Sequence, residues 1–187
     1  MGIFSAFGLS ASAGLNAYIP LLVVALLARF TNLIKLSSPW DTLSSWWIIA
    51  LLLLLSLVEF FADKIPVVNH VNDAIQTIIR PVAGAILFAA SAHVITDIHP
   101  VLSLAAGLLV AGGVHAVKAL AVRPVVTATT AGTANIPVSF AEDAIATVLS
   151  IISVVVPVLI TAIIVLVSAW LILKLWGRES AKRQLKV

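Results

Sequence analysis

Cysteine is absent from this chain of 187 residues. Disulfides, thiolate metal sites and a cysteine nucleophile are therefore excluded. Charge is scarce: only 10% of residues are Asp, Glu, Lys or Arg, whereas 61% are hydrophobic and the mean hydropathy is +1.17. A soluble domain carries about 45–50% apolar and about 25% charged residues. This chain lacks the polar groups to cover its own surface in water, which points to lipid as its solvent. No Lys or Arg precedes Arg29, and no cleavage site is evident, so the first apolar run reads as a membrane helix rather than a removable signal. There is no Gly-rich phosphate loop, no HExxH and no GxSxG, so no enzyme chemistry is indicated and no cofactor or metal is expected. The net charge of +3 does not mark a nucleic-acid partner, because five basic residues (Lys174, Arg178, Lys182, Arg183 and Lys186) crowd the last fourteen positions.

What remains is a series of apolar segments. A helical crossing needs about 20 apolar residues. Five stretches qualify: 2–28, 42–62, 73–96, 101–122 and 143–176. The fifth has 34 residues, roughly 51 Å of helix. Pro157 could split it into a hairpin, giving six spans, but Val154-Val155-Val156-Pro157-Val158 offers no turn residue. One long helix kinked at Pro157 is the preferred reading. The expected fold class is an all-α polytopic bundle, with a transmembrane domain over 1–176 and a basic tail over 177–187. Flanking Lys and Arg set orientation. An N-terminus outside puts seven of them within (Arg29, Lys35 and the five of the tail with Lys174) and leaves Lys64, Arg80, Lys118 and Arg123 toward the outside. The C-terminus is then cytoplasmic.

Two stretches resemble each other. Ile65-Pro66-Val67 precedes Asp73-Ala74-Ile75-Gln76-Thr77, and Ile136-Pro137-Val138 precedes Asp143-Ala144-Ile145-Ala146-Thr147. They suggest an internal repeat of helical hairpins, an architecture found among transporters. Each Pro is expected to end an extended connector. Ser139 with Glu142 has the pattern of a capping box, and Asn69 stands in the matching place. A weaker similarity relates 8–20 to 112–124.

Polar residues recur at helical spacing. Gly8, Ser12 and Asn16 share a stripe that leads to Pro20. Either these small residues let helices approach, with Asn16 bonding across the interface, or Asn16 and Pro20 mark a broken helix whose freed backbone contacts a solute. Gly107, Ala111, His115, Ala119 and Arg123 form a second stripe, with Lys118 beside it. Such groups are costly in lipid and should face the interior. The acids Glu59, Asp63, Asp73, Glu142 and Asp143 are expected to converge with these cations at the outer end. They form either ion pairs that lock the fold or a polar site in which Glu59, His115 and Lys118 carry protons. The run 127–135, ending in Asn135, is open between a plain loop and a re-entrant segment. His93 and His99 flank Asp97, better read as loop residues than as a metal site.

The pattern Ala13-Gly14-Leu15-Asn16-Ala17-Tyr18-Ile19-Pro20, the region from Glu59 through Asp63-Lys64-Ile65-Pro66, Asp73 to Thr77 with Ile79-Arg80-Pro81, then His115, Lys118-Ala119, Arg123, Asn135 and Ser139 to Asp143, resembles the bacterial membrane protein family catalogued as domain of unknown function 4126. The one departure is Ile136, which separates Asn135 from Pro137. The resemblance implies residence in a bacterial cytoplasmic membrane and marks these polar positions as family features; it implies no activity. The reading is a small transporter or channel for a small polar solute or ion, possible proton coupling included, in a homo-oligomer surrounded by lipid. The alternative is a non-transporting lipid-binding or assembly protein.

Overall fold

The computed structural model describes residues 2–92 and 98–184, with side chains described for these except 66–70, 92, 158, 160–165, 167–169 and 171–184. His93, Asp97 and the side chains of Asn69, Lys174, Arg178, Lys182, Arg183 and Lys186 fall outside that description. All regular structure among the described residues is helical.

The first apolar run does not form one helix. It divides into α1 (Ile3–Leu15) and α2 (Tyr18–Phe30). Asn16 is the cause: its backbone is extended, with ψ 129°, and its side-chain Oδ1 accepts from the amides of Tyr18 and Ile19 at 3.1 and 3.0 Å. An amide side chain that satisfies orphan N–H groups in this way starts a new helix. Pro20 follows in the first turn of α2, where its missing N–H costs nothing.

The two helices turn back on each other. α1 runs antiparallel to α7 (Asn135–Gln184): Gly8 lies against Ser153, Ser12 hydrogen-bonds Ser150 at 2.7 Å, and Asn16 reaches Asp143 at 3.0 Å. It also runs antiparallel to the second half of α4 (Pro66–Ala92), with Ser10 donating to the Gly84 carbonyl at 2.8 Å and Phe7 edge-on to Phe88. The end of α2 returns to this same end of the bundle. Arg29 and Phe30 stack on Trp46, the first residue of α3 (Trp46–Ala62). The intervening Pro39 and Trp40 line a small cavity with Ala89, Ile98 and Pro100. Each arm has 13 residues, about 20 Å, too short for a hydrocarbon core of about 30 Å. α1 and α2 therefore form a re-entrant hairpin, its tip inside the protein, with α1 wrapped by α4, α5 (Pro100–Val117) and α7.

This corrects the expected single crossing by 2–28. The N-terminus of α1, the loop containing Lys35 and the C-terminal half of α7 all lie at one end. The added break is a turn at Asn16 rather than at Pro157, which stays inside one continuous 50-residue helix.

α5 continues through a π turn, Lys118–Val122, into α6 (Arg123–Thr130). Pro124 supplies the reason: it has no N–H, and its ring would clash with the Leu120 carbonyl in a regular helix. α6 ends at Ala131 and Gly132, both with positive φ. The run 127–135 is thus mostly helix closed by a tight turn, neither a long loop nor a re-entrant segment. Both proline motifs begin helices directly. Asp73 and Asp143 lie about two turns inside α4 and α7, and Ser139 is interior to α7 with its hydroxyl buried and unbonded, so no capping box forms.

Burial is inverted relative to a water-soluble protein. Arg80 is 0% exposed and Glu59 1%, whereas Trp47 is 87% and Leu120 79% exposed. Apolar side chains face outward, and α4, the α5–α6 rod and the first part of α7 have the length and hydropathy of membrane spans. Glycines permit the close inner contacts. A Cβ on Gly107 would lie 2.4 Å from the Gly84 carbonyl oxygen, and one on Gly84 would lie 2.2 Å from Ala111.

Candidate functional site

The hairpin tip rests on a network of charged side chains from every other long helix. Arg80 of α4 donates to Glu59 of α3 at 2.9 Å and lies 3.8 Å from Asp63. Arg123 holds Glu142 of α7 through two hydrogen bonds, Nη2 to Oε2 at 2.6 Å and Nε to Oε1 at 3.3 Å, and lies 3.7 Å from Asp63. Lys118 reaches the same Glu142 oxygen at 3.0 Å. Lys64 bridges to Asp143 at 3.1 Å and sits over the Phe60 ring. Asp63 also accepts from Asn72 at 2.6 Å. All these ions are buried or nearly so, which is tolerable because each is matched by opposite charge and hydrogen bonds.

The π turn makes the Arg123 contact possible. Lys118 and Arg123 are five positions apart, which on a regular helix would point them well apart; the wider turn brings both to the buried face. π turns recur at functional sites.

Two of these contacts hold the hairpin tip. Lys118 donates to the Leu15 carbonyl at 3.0 Å, capping the C-terminus of α1. Asp143 accepts from Asn16, whose other side-chain atom caps α2. A turn at this depth leaves backbone groups that only protein or water can satisfy, and the network satisfies them.

His115 completes the far wall. Its Nδ1 faces Arg80 Nη1 at 3.1 Å, and a guanidinium only donates, so Nδ1 is the acceptor. Its Nε2 faces the Thr77 hydroxyl at 3.2 Å, and that hydroxyl donates to the Asp73 carbonyl. The imidazole is therefore the neutral Nε2–H form, by hydrogen-bond logic.

Of the residues singled out by sequence, Asn16, Glu59, Asp63, Arg80, His115, Lys118, Arg123, Glu142 and Asp143 are brought together. Asp73 sits at the rim, half-buried, within electrostatic reach of Arg123, Arg80 and Lys118; among the described residues its carboxylate has no ion-pair contact. Asn135 is elsewhere, paired with Thr127 across the turn after α6. His99 caps α5. Sequence reasoning missed Gln76 and Asn72. They lie with Arg80, Gly84 and Phe88 on a four-residue stripe of α4, so the spacing test applied to α5 finds them. Gln76 is buried. The Leu15 carbonyl has no sequence signal. Among the described residues, four buried atoms of the network lack a hydrogen-bond partner: Glu59 Oε2, Gln76 Oε1, Arg80 Nε and Arg123 Nη1.

Fold and site together define a helical membrane protein with a re-entrant hairpin seated on buried ion pairs. The chain belongs to the family described as domain of unknown function DUF4126, whose model matches residues 3–178. Neither a curated protein nor a solved structure matches it.

Proposed function

We propose that the protein is a small transporter or channel of the bacterial cytoplasmic membrane, and that its mobile species is a proton, a monovalent cation or a small polar solute. The observation that carries this reading is the hairpin tip itself. Non-helical backbone at membrane depth is a feature of solute pathways, and here the polar groups of the tip are met by the ionisable side chains Lys118 and Asp143. Charge supports it. Glu59, Asp63, Asp73, Glu142 and Asp143 face Lys64, Arg80, Lys118 and Arg123, and with His115 neutral the group has one carboxylate more than it has cations. One further positive charge would balance it, and among the described residues Asp73 is the carboxylate without an ion-pair contact. The parallel course of α4 and α7 suits a repeat of hairpins. The Lys/Arg bias favours a cytoplasmic location for Arg29, Lys35 and the basic C-terminal residues. Lipid and further copies of the chain are the partners its outer faces suit, and the reading needs no catalytic chemistry.

A second reading has its own support: the eight remaining charges are completely paired, as a purely structural lock would require. One experiment separates the two. Proteoliposomes are loaded with a pH dye and subjected to a potassium diffusion potential, with sodium, potassium, urea and glycerol movement followed in parallel. Transport predicts flux above empty liposomes for at least one species, lost in Asp73→Asn. Absence of flux for all five species in folded protein sinks the transport reading and leaves the lock.

A further inference from the structure

α5 and α7 hardly touch, because α1 lies behind and between them. On the outer side this leaves an open groove of ≈ 490 Å³, walled by residues such as Val117, Val122, Val138 and Ile145. Its floor is different in kind: Leu15 at the hairpin tip, Lys118 and Glu142. The groove thus opens between two membrane-spanning helices and ends on the ion pair that anchors the tip.

We propose that this groove binds a single-chain amphipath from the bilayer, its chain along the apolar walls and a carboxylate head at Lys118.

The hydrogen-bond inventory of the floor selects the head. Glu142 Oε1 accepts from Arg123, Oε2 accepts from both Arg123 and Lys118, and the Leu15 carbonyl accepts from Lys118. The acceptors are therefore already engaged. The Lys118 ammonium has three N–H groups and only two partners among the described residues, so the free capacity is a donor. A ligand must bring an acceptor. Arg123 is already matched by Glu142 and by Asp63 at 3.7 Å, which leaves the Lys118 ammonium as the donor, and a carboxylate is a stronger acceptor for an ammonium than a neutral oxygen. A volume of ≈ 490 Å³ lies within the usual range for one small ligand, about 300–1,000 Å³, and a two-chain lipid would leave a chain outside. A second copy is the poorer occupant: the outward face of α3, with Leu54, Leu57 and Phe61, has no acceptor to offer the ammonium.

The test uses the full chain in phosphatidylcholine nanodiscs with palmitic acid bearing a diazirine near the chain end. Photolabel is expected to concentrate in 113–122 and 138–145. Unlabelled palmitate should displace it, and hexadecanol should be at least about tenfold weaker, since a hydrogen bond to a charged group is worth about 1.5–3 kcal/mol. Ala141→Trp fills the groove from an exposed position without touching an ion pair; it should lose the label while keeping the wild-type melting temperature. The proposal is overturned if the label spreads evenly onto the α3 face, if hexadecanol competes equally, or if a diazirine phospholipid labels the groove and palmitate does not displace it. It is also overturned if cysteines introduced at Val117 and Ala141 crosslink between copies and exclude the label.

Discussion

The Lys118 ammonium donates to the carbonyl of Leu15, 103 residues away in the chain, at 3.0 Å. A cation of one spanning helix thereby caps the last turn of a helix that never leaves the membrane on the other side. The same ammonium is bound to Glu142, so three elements meet at one nitrogen.

Removing that nitrogen should free the tip. In Lys118→Met, Glu142 keeps Arg123 but loses one cation, and the Leu15 carbonyl is left without a partner. Breaking a buried pair in this way costs about 3–5 kcal/mol. Melting in detergent should drop by several degrees, and a reporter cysteine at Ala17, fully buried in the wild type, should become reactive to maleimide. Unchanged reactivity would mean that Lys118 does not hold the hairpin.

Glu59 and Arg80 give a sharper test of pairing. Each is essentially inaccessible, and they meet at 2.9 Å. Glu59→Gln and Arg80→Gln should each destabilise by about 3–5 kcal/mol, because each strands a buried charge. The double substitution should recover much of that loss, and a double-mutant cycle in reversible unfolding measures it. Strict additivity would show that the two do not interact.

Two glycines of α5 should behave oppositely. A Cβ on Gly107 meets backbone atoms of α4 at 2.4 and 2.7 Å, so Gly107→Ala must push two helices apart, at a cost of about 1–3 kcal/mol. A Cβ on Gly113 meets nothing within 4 Å. Gly113→Ala should be neutral or slightly stabilising, since Ala gains about 1 kcal/mol of helix propensity over Gly. Equal melting temperatures for the two variants would contradict the packing.

The re-entrant hairpin fixes a topology that labelling can read. The chain has no native cysteine, so single cysteines at Gly2, Ser37 and Gln184 report alone. All three should react with an impermeant reagent from the same side of sealed vesicles. A residue-2 cysteine accessible only from the opposite side would restore a single crossing by the first apolar run.

Much of the site was legible before any fold was known. Buried charges are expensive in lipid wherever they fall, so Glu59, Arg80, His115, Lys118 and Arg123 had to seek one another, and the four-residue spacing of Gly107, Ala111 and His115 marked the inner face of α5. The pairing was not legible. Which of Asp63, Glu142 and Asp143 meets which cation depends on a π turn at Pro124 and on contacts between residues far apart in sequence. Ser139 misled for a related reason: a capping pattern is local, and here the helix had already begun at Asn135, because nothing downstream stopped it.

Composition placed this protein in a membrane, and apolar runs of about 20 residues made its spans helices rather than the shorter strands of a barrel. It also determined that Asn16 would interrupt the first apolar run or bond across it. Only the tertiary structure decided that the chain turns back there. A run of that length fits one crossing, and Asn16 and Pro20 signal a break in it but no reversal; Asp143 and Lys118 hold the reversed tip from helices more than a hundred residues away.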